Sequence, residues 1–252
     1  MNSGKQYVLT GIIILVLTMN NTFAQTQQTT IYCIGDSITW GQAFGSGSDY
    51  PQLLNKKFQD YGLEGIRFQN NGVSGDTVGD RLAFWSSASA QRILDRVDVH
   101  YATIMLGTND TRIGDETPTK TYVERLNALI DIFVHNENSD GTTTQVLLSL
   151  IPPHNSPAEG EYMASQFRDR FIYRDRIPNE LNPEIKRIAE ERGLLTIDCY
   201  TPLKEAGPDI LPDGLHPAAE GNEMLAEAFF EVFLPLLDPR AGIQQAVYEE
   251  FR

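Results

Sequence analysis

The chain has 252 residues, of which 41% are hydrophobic and 21% are charged. This hydrophobic content excludes a mainly disordered chain, because it supplies enough apolar surface to bury a core. The 20 Lys and Arg against 34 Asp and Glu give a net charge of −14. So acidic a chain would be repelled by phosphate backbones and anionic lipid surfaces, and nucleic acid is not an expected partner. With 2 cysteines and no clustered Cys/His spacing, we expect no metal site.

Residues 1–24 have the pattern of a secretory signal peptide. Lys5 is their only charge, an apolar run covers Val8–Met19, and Thr22 and Ala24 put small residues at the −3 and −1 cleavage positions. As a helix this run would span about 18 Å, less than the roughly 30 Å hydrocarbon core of a bilayer. We therefore expect cleavage after Ala24 and an exported protein, periplasmic or extracellular, with no stable membrane association. An uncleaved membrane anchor is the alternative.

Compact apolar runs alternate with longer helical patterns through residues 25–252, and no repeat or linker-like stretch divides them. Strands are predicted at Thr30–Ile34, Ile66–Gln69, Tyr101–Leu106, Gln145–Ile151 and Leu194–Cys199. Helices are predicted at Pro51–Tyr61, Ser86–Arg96, Thr119–Asn136, Pro183–Arg192 and Ala218–Leu237. Such alternation is typical of a parallel sheet covered by helices on both faces. The pattern predicts a single three-layer α/β domain.

Polar clusters follow the predicted strands. They are Gly35-Asp36-Ser37, the run from Asn70 to Gly75, Gly107-Thr108-Asn109-Asp110, and Asp213-Gly214-Leu215-His216-Pro217 before the last helix. Ligands of such sheets bind outside the carboxyl ends of the strands, so these clusters are expected to converge on one edge.

A serine hydroxyl becomes a strong nucleophile only beside a base that a third group orients. Among the 4 histidines, His216 lies three residues after Asp213, close enough for a carboxylate to hold one ring nitrogen while the other faces Ser37. His135 falls in a predicted helix, and His100 precedes a strand at the wrong end of the sheet. His216 is therefore the expected base.

Each of these residues also has a structural explanation. Ser37 could cap a helix, Asp213 and Pro217 could shape a turn, and Asn109 could cap the turn after Gly107. Their joint occurrence, each after the appropriate strand, favours a catalytic site.

The four blocks resemble those of the GDSL, or SGNH, hydrolases: they begin at Gly35, Gly72, Gly107 and Asp213, and occur in the family's order. The resemblance implies a flavodoxin-like α/β/α domain with a five-stranded parallel sheet and no cofactor. Ser37 would be the nucleophile, His216 the general base and Asp213 its orienting carboxylate. The oxyanion hole would comprise the backbone N–H groups of Ser37 and Gly72 and the side-chain amide of Asn109. A glycine at position 72 would let its amide approach the oxyanion closely.

The resemblance implies hydrolysis of acyl esters, and a further similarity to exported acetylesterases implies O-acetyl groups on carbohydrate as the substrate. A lipolytic, lysophospholipase-like or aryl esterase is the enzymatic alternative, and a carbohydrate-binding domain is the non-enzymatic one. The chain lacks the Gly-x-Ser-x-Gly motif of ordinary α/β-hydrolases and the glycine-rich loops of nucleotide-binding proteins. These absences disfavour the ordinary α/β-hydrolase fold and nucleotide-dependent chemistry. The expected partner is a substrate, a small-molecule or glycan ester.

Two residues are predicted to contact this substrate. Trp40 could stack on a sugar ring or pack between the first loop and helix, and His154 follows the fourth strand on the correct side of the sheet. The long connection Pro152–Ile177 is either a surface insertion or a flap over the site.

The two cysteines fall in the first and fifth predicted strands. In the strand order 2-1-3-4-5 three spacings of about 4.8 Å separate these strands, which is too far for a disulfide. Cys33 and Cys199 are therefore predicted to be buried free thiols.

Overall fold

The computed structural model describes residues 28–41, 49–78, 85, 90–91, 94–95, 97–112, 116–154, 175–238 and 240. The predicted signal peptide lies outside these residues, as do most of the predicted helix Ser86–Arg96 and most of the connection Pro152–Ile177. No helix within the described ranges is long and apolar enough to cross a membrane.

The strands form one five-stranded parallel sheet. They are β1 (Thr29–Gly35), β2 (Ile66–Gly72), β3 (Tyr101–Met105), β4 (Gln145–Ser149) and β5 (Leu195–Ile197). Their order in the sheet is β2-β1-β3-β4-β5, and every neighbouring pair is parallel. This confirms the predicted α/β sheet and the flavodoxin-like order implied by the resemblance.

Six α-helices are described in full. They are α1 (Ser37–Trp40), α2 (Tyr50–Tyr61), α3 (Thr119–Val134), α4 (Asn182–Arg192), α5 (Thr201–Ala206) and α6 (Ala219–Leu237). The predictions for α2, α3, α4 and α6 agree with these bounds within two residues. Helices α1 and α5 were not predicted, because helices of 4 and 6 residues are too short to carry a helical periodicity.

Two apolar clusters cover the two faces of the sheet. On one face, Ile34 and Ile104 pack with α3 and α4, and on the other, Ile31 and Met105 pack with α2 and α6. Successive strand residues point to opposite faces, so a strand buried on both sides must be apolar at nearly every position. The three-layer α/β/α arrangement follows from this burial.

Helix α1 lies directly on the ends of β1 and β2. Gly35 and Gly72 are partners across these strands. A Cβ atom on Gly35 would lie 2.0 Å from Thr39 Oγ1, and one on Gly72 would lie 2.1 Å from the backbone nitrogen of Trp40. Glycine at both positions lets α1 sit on the sheet, which places Ser37 at the carboxyl edge.

Both cysteines are buried and free, as predicted. Cys33 lies in β1 and Cys199 follows β5, with β3 and β4 between those strands. Burial raises the pKa of Cys33 to about 12 and also raises that of Cys199, so both remain protonated thiols at neutral pH.

Candidate active site

Ser37 is the first residue of α1, directly after β1, and its side chain is buried. The helix cap is Asp36, whose Oδ1 accepts a hydrogen bond of 2.9 Å from the backbone N–H of Ile38. A capping role for Ser37 is therefore wrong, because its neighbour performs it. The Ser37 hydroxyl is left to make a tertiary contact.

The tertiary contact of Ser37 is with His216. The Nε2 atom of His216 lies 2.8 Å from Ser37 Oγ, and its Nδ1 atom lies 2.7 Å from Asp213 Oδ2. Ser37 begins α1 directly after β1, whereas Asp213 and His216 lie in the loop before α6, and Ser37 and His216 are 179 residues apart in the chain. The three side chains form one continuous hydrogen-bonded chain, in which a base and its orienting carboxylate face a serine hydroxyl.

Local hydrogen bonds hold Asp213 in place. Its Oδ1 accepts from the backbone N–H groups of Leu215 at 2.9 Å and His216 at 2.6 Å, and Gly214 between them has a φ of 81°. Burial pushes the pKa of Asp213 up, but the hydrogen bonds from the side chain and backbone of His216 and from Leu215 outweigh it and lower the pKa. The carboxylate is therefore ionised at neutral pH, as an orienting group requires.

Asn109 begins a short 3₁₀ turn after β3 and is also buried. Its Nδ2 donates to the carbonyl oxygen of Asp76 at 3.0 Å and to Asp36 Oδ2 at 3.3 Å, while its Oδ1 accepts from Arg112 at 3.0 Å. These partners turn the amide NH₂ toward the residue before Ser37. The contact to Asp36 is the longer one and the one that a substrate oxygen could replace.

Gly72 does not fit the predicted role of oxyanion donor. It is the last residue of β2, and its N–H donates to Asn70 Oδ1 at 3.0 Å. The prediction ended this strand at Gln69 because asparagine is depleted in strands, but Asn70 and Asn71 continue the pairing with β1. The N–H of Gly72 is therefore used within the sheet.

Gly75 is the better candidate for this donor, although its role was not predicted. It lies in the turn after β2 with a φ of 82°, and its N–H donates no hydrogen bond within the described part of the chain. The next residue, Asp76, contacts Asn109 through its carbonyl oxygen. A glycine at a turn that needs positive φ was the available signal.

The remaining predicted residues occupy different positions. Trp40 ends α1 with 56% of its surface exposed, and His154 is buried beyond the end of β4. His100 accepts from the backbone N–H of Thr30 at the amino end of the sheet, and His135 contacts the carbonyl oxygen of Asp131. Neither His100 nor His135 approaches Ser37, in agreement with the prediction.

Asp36 is buried beside this site. Burial is the main reason that its pKa is raised to about 6, with the Ile38 N–H and the charge of His216 acting in the opposite direction. A raised pKa means that the folded state binds a proton more tightly than the unfolded state. Stability is therefore lost as pH rises from about 4 through 6.

The link between the raised pKa of Asp36 and stability predicts how Asp36→Asn changes the pH dependence of unfolding. The wild-type free energy of unfolding, relative to the variant, should fall by up to about 3 kcal/mol between pH 4 and pH 7.5. Urea unfolding at both pH values measures the difference. Asp60→Asn, at an exposed position on α2, is the control and should show little change. If the free energies of unfolding of wild type and Asp36→Asn differed by the same amount at both pH values, the raised pKa of Asp36 would be contradicted.

A parallel α/β sheet with serine, histidine and aspartate bonded together at its carboxyl edge is the arrangement expected of a hydrolase that attacks acyl groups. The model of the GDSL-like lipase/acylhydrolase family matches residues 33–224, and the chain belongs to this family. The protein is accordingly a carboxylic ester hydrolase.

Three similar proteins share between 20% and 28% of their residues with this chain. The chain is 28% identical to an acetylxylan esterase of Geobacillus stearothermophilus, over 78% of this chain and 90% of that protein. A carbohydrate acetylesterase from Sinorhizobium meliloti superposes with a TM-score of 0.64 at 21% identity, covering 83% of this chain and 100% of that one. An aryl esterase of M. smegmatis superposes with a TM-score of 0.66 at 20% identity, with the same coverage. These two superpositions establish the shared fold.

Proposed function

We propose that this protein is an exported serine esterase that removes acetyl groups from carbohydrate through an acyl-enzyme. Ser37 is the nucleophile, His216 the general base and Asp213 its orienting carboxylate. The observation that carries this proposal is the hydrogen-bonded chain, with 2.8 Å from Ser37 Oγ to His216 Nε2 and 2.7 Å from His216 Nδ1 to Asp213 Oδ2.

The chemistry follows from these contacts. His216 Nε2 takes the proton of Ser37 Oγ as the oxygen attacks the ester carbonyl carbon. The same proton passes to the alkoxide oxygen when the alcohol leaves, and the acyl group remains on Ser37. Water, deprotonated by His216 Nε2, then attacks the acyl carbon. The bond from that carbon to Ser37 Oγ breaks, His216 returns the proton to Ser37 Oγ, and the acid is released. Asp213 stays ionised throughout and stabilises the imidazolium.

The oxyanion needs donors on the other side of the carbonyl group. We assign this role to the backbone N–H groups of Ser37 and Gly75 and to Asn109 Nδ2. Neither backbone N–H group donates a hydrogen bond within the described ranges. Asn109 Nδ2 donates to the carbonyl oxygen of Asp76, the residue after Gly75, and so lies beside the same loop.

Asn109→Ala is expected to lower kcat about 10²- to 10³-fold, because one oxyanion donor is removed. The effect on KM should be small, since the donor acts on charge that develops in the transition state. Steady-state kinetics with p-nitrophenyl acetate measure both constants. Asn179→Ala, at an exposed position, is the matched control. A kcat within threefold of wild type would contradict the role of Asn109.

Two observations support acetylated carbohydrate as the substrate. The acetylxylan esterase and the carbohydrate acetylesterase that this chain resembles are both named for acetyl esters of carbohydrate. Trp40 presents an indole with 56% of its surface exposed three residues after Ser37. An exposed aromatic ring can stack on the apolar face of a sugar.

The test compares p-nitrophenyl acetate, butyrate and octanoate, followed by acetylated xylo-oligosaccharides. We expect the acetate to be hydrolysed fastest and the oligosaccharides to release acetic acid. Faster hydrolysis of octanoate would replace the carbohydrate proposal with a lipolytic one. The likeness to the aryl esterase makes aryl esters a second candidate, favoured if phenyl acetate is hydrolysed and no acetylated oligosaccharide is.

Export is proposed from the signal-peptide pattern of residues 1–24. Expression of the full chain in a bacterium should yield a product outside the cytoplasm that begins at Gln25. The intact mass of that product measures the cleavage site. A cytoplasmic product that retains residues 1–24 would contradict export.

A further inference from the structure

His154 is a buried side chain with unused hydrogen-bonding groups. It lies five residues beyond the end of β4, with 5% of its surface exposed. Neither Nδ1 nor Nε2 has a hydrogen-bond partner within the described part of the chain. Buried polar atoms almost always have partners, so two unpaired ring nitrogens indicate that a partner binds from outside.

The position of His154 ties it to the active site. It follows β4, which neighbours β3 at the edge where Ser37, Asn109 and His216 meet. Burial lowers its pKa to about 3, the charge of His216 lowers it further, and that of Asp213 raises it. The ring is therefore neutral at physiological pH. A neutral imidazole offers one donor and one acceptor.

The chemistry of the ester defines which part of the substrate faces this ring. The proposed oxyanion donors come from the loops after β1, β2 and β3. The leaving alcohol must lie beside His216 Nε2, from which it takes a proton. His154 follows β4, outside the loops that carry the oxyanion donors, and this position places it on the alcohol side of the ester.

We propose that His154 is a specificity residue that hydrogen-bonds a hydroxyl group next to the acetylated oxygen of the alcohol. This inference rests on the proposed roles of Ser37 and His216. On a sugar, that hydroxyl is the neighbouring ring hydroxyl, which can both donate to and accept from an imidazole. An alcohol without it leaves the buried ring unpaired, and the site discriminates against such an ester.

The test uses two acetates of the same ring size, the monoacetate of trans-1,2-cyclohexanediol and cyclohexyl acetate. Wild type should prefer the diol monoacetate about tenfold in kcat/KM. His154→Phe should reduce this preference about tenfold, and His154→Gln, which keeps a donor and an acceptor, should retain part of it. His154→Leu repeats the test with a smaller side chain if phenylalanine prevents folding. His135→Gln, at an exposed position, should keep the wild-type ratio.

The outcomes separate this inference from the proposed function. If His154→Phe lowered kcat/KM equally for both esters, the inference would be overturned, because the ring would then act by holding the catalytic side chains in place. An unchanged ratio would overturn it as well. Loss of the preference for the diol monoacetate in both His154→Phe and His154→Leu supports the inference. Failure of wild type to deacetylate xylo-oligosaccharides would overturn the carbohydrate proposal alone, because the cyclohexanediol ratio does not depend on a glycan.

Discussion

Ser37→Ala is expected to lower kcat for p-nitrophenyl acetate about 10⁴- to 10⁶-fold, with little change in KM. The hydroxyl is the atom that attacks the ester, and it is the partner of His216 Nε2 at 2.8 Å. Alanine removes the nucleophile and leaves Asp36 to cap α1, so the fold should persist. Initial rates at saturating substrate measure the loss, and circular dichroism confirms folding.

A fluorophosphonate probe makes the same test independent of turnover. The probe should label wild type at Ser37 and leave Ser37→Ala unlabelled, since it reacts with an activated serine. Ser139→Ala, at an exposed position next to Asp98, is the control and should keep both activity and labelling. Labelling of Ser37→Ala, or activity above a hundredth of wild type, would identify another nucleophile.

Asp213→Asn is the second large effect, with kcat expected to fall about 10⁴-fold. The carboxylate accepts a hydrogen bond from the N–H of His216 Nδ1 at 2.7 Å, and this tautomer leaves Nε2 free to accept a hydrogen bond from Ser37. An asparagine amide can donate to Nδ1 instead, which would put the ring proton on Nε2 and block the base. Kinetics with p-nitrophenyl acetate should show the loss in kcat with KM nearly constant.

The control for this variant is Asp209→Asn, four residues earlier and exposed. It should keep wild-type activity, because its carboxylate lies outside the hydrogen-bonded chain. Thermal unfolding of Asp213→Asn checks that the loop from Asp213 to His216 survives, since Asp213 also accepts two backbone hydrogen bonds. A folded Asp213→Asn with less than a tenfold loss in kcat would contradict the orienting role.

The sheet could be predicted because burial on both faces leaves a continuous apolar signal in each strand. Tyr101–Leu106 and Gln145–Ile151 were predicted as strands, and the structure has them one and two residues shorter. The free thiols of Cys33 and Cys199 followed from the strand order that the family resemblance implies. Helix α1 could not be predicted, because its four residues are held by Asp36 and by contact with Gly35 and Gly72.

The side chains of the candidate site could also be predicted from the sequence, whereas its backbone donors could not. Ser37, His216 and Asp213 are found from the sequence because side-chain chemistry and position after a strand are both local features. Gly72 was assigned wrongly because a backbone N–H has no chemical signature in a sequence. Its hydrogen bond to Asn70 becomes visible only when β2 is seen to continue to residue 72.

The amino-acid sequence alone determined the fold class and the reacting side chains, because hydrophobic periodicity and residue chemistry are carried by neighbours in the chain. The order of the strands, and with it the free cysteines, came from the family resemblance. The tertiary structure decided which backbone amides remain free for an oxyanion, which carboxylate caps α1, and that both ring nitrogens of His154 are left without partners in the described residues. These properties depend on hydrogen bonds and burial between segments far apart in sequence, such as Asn109 with Asp36, 73 residues away.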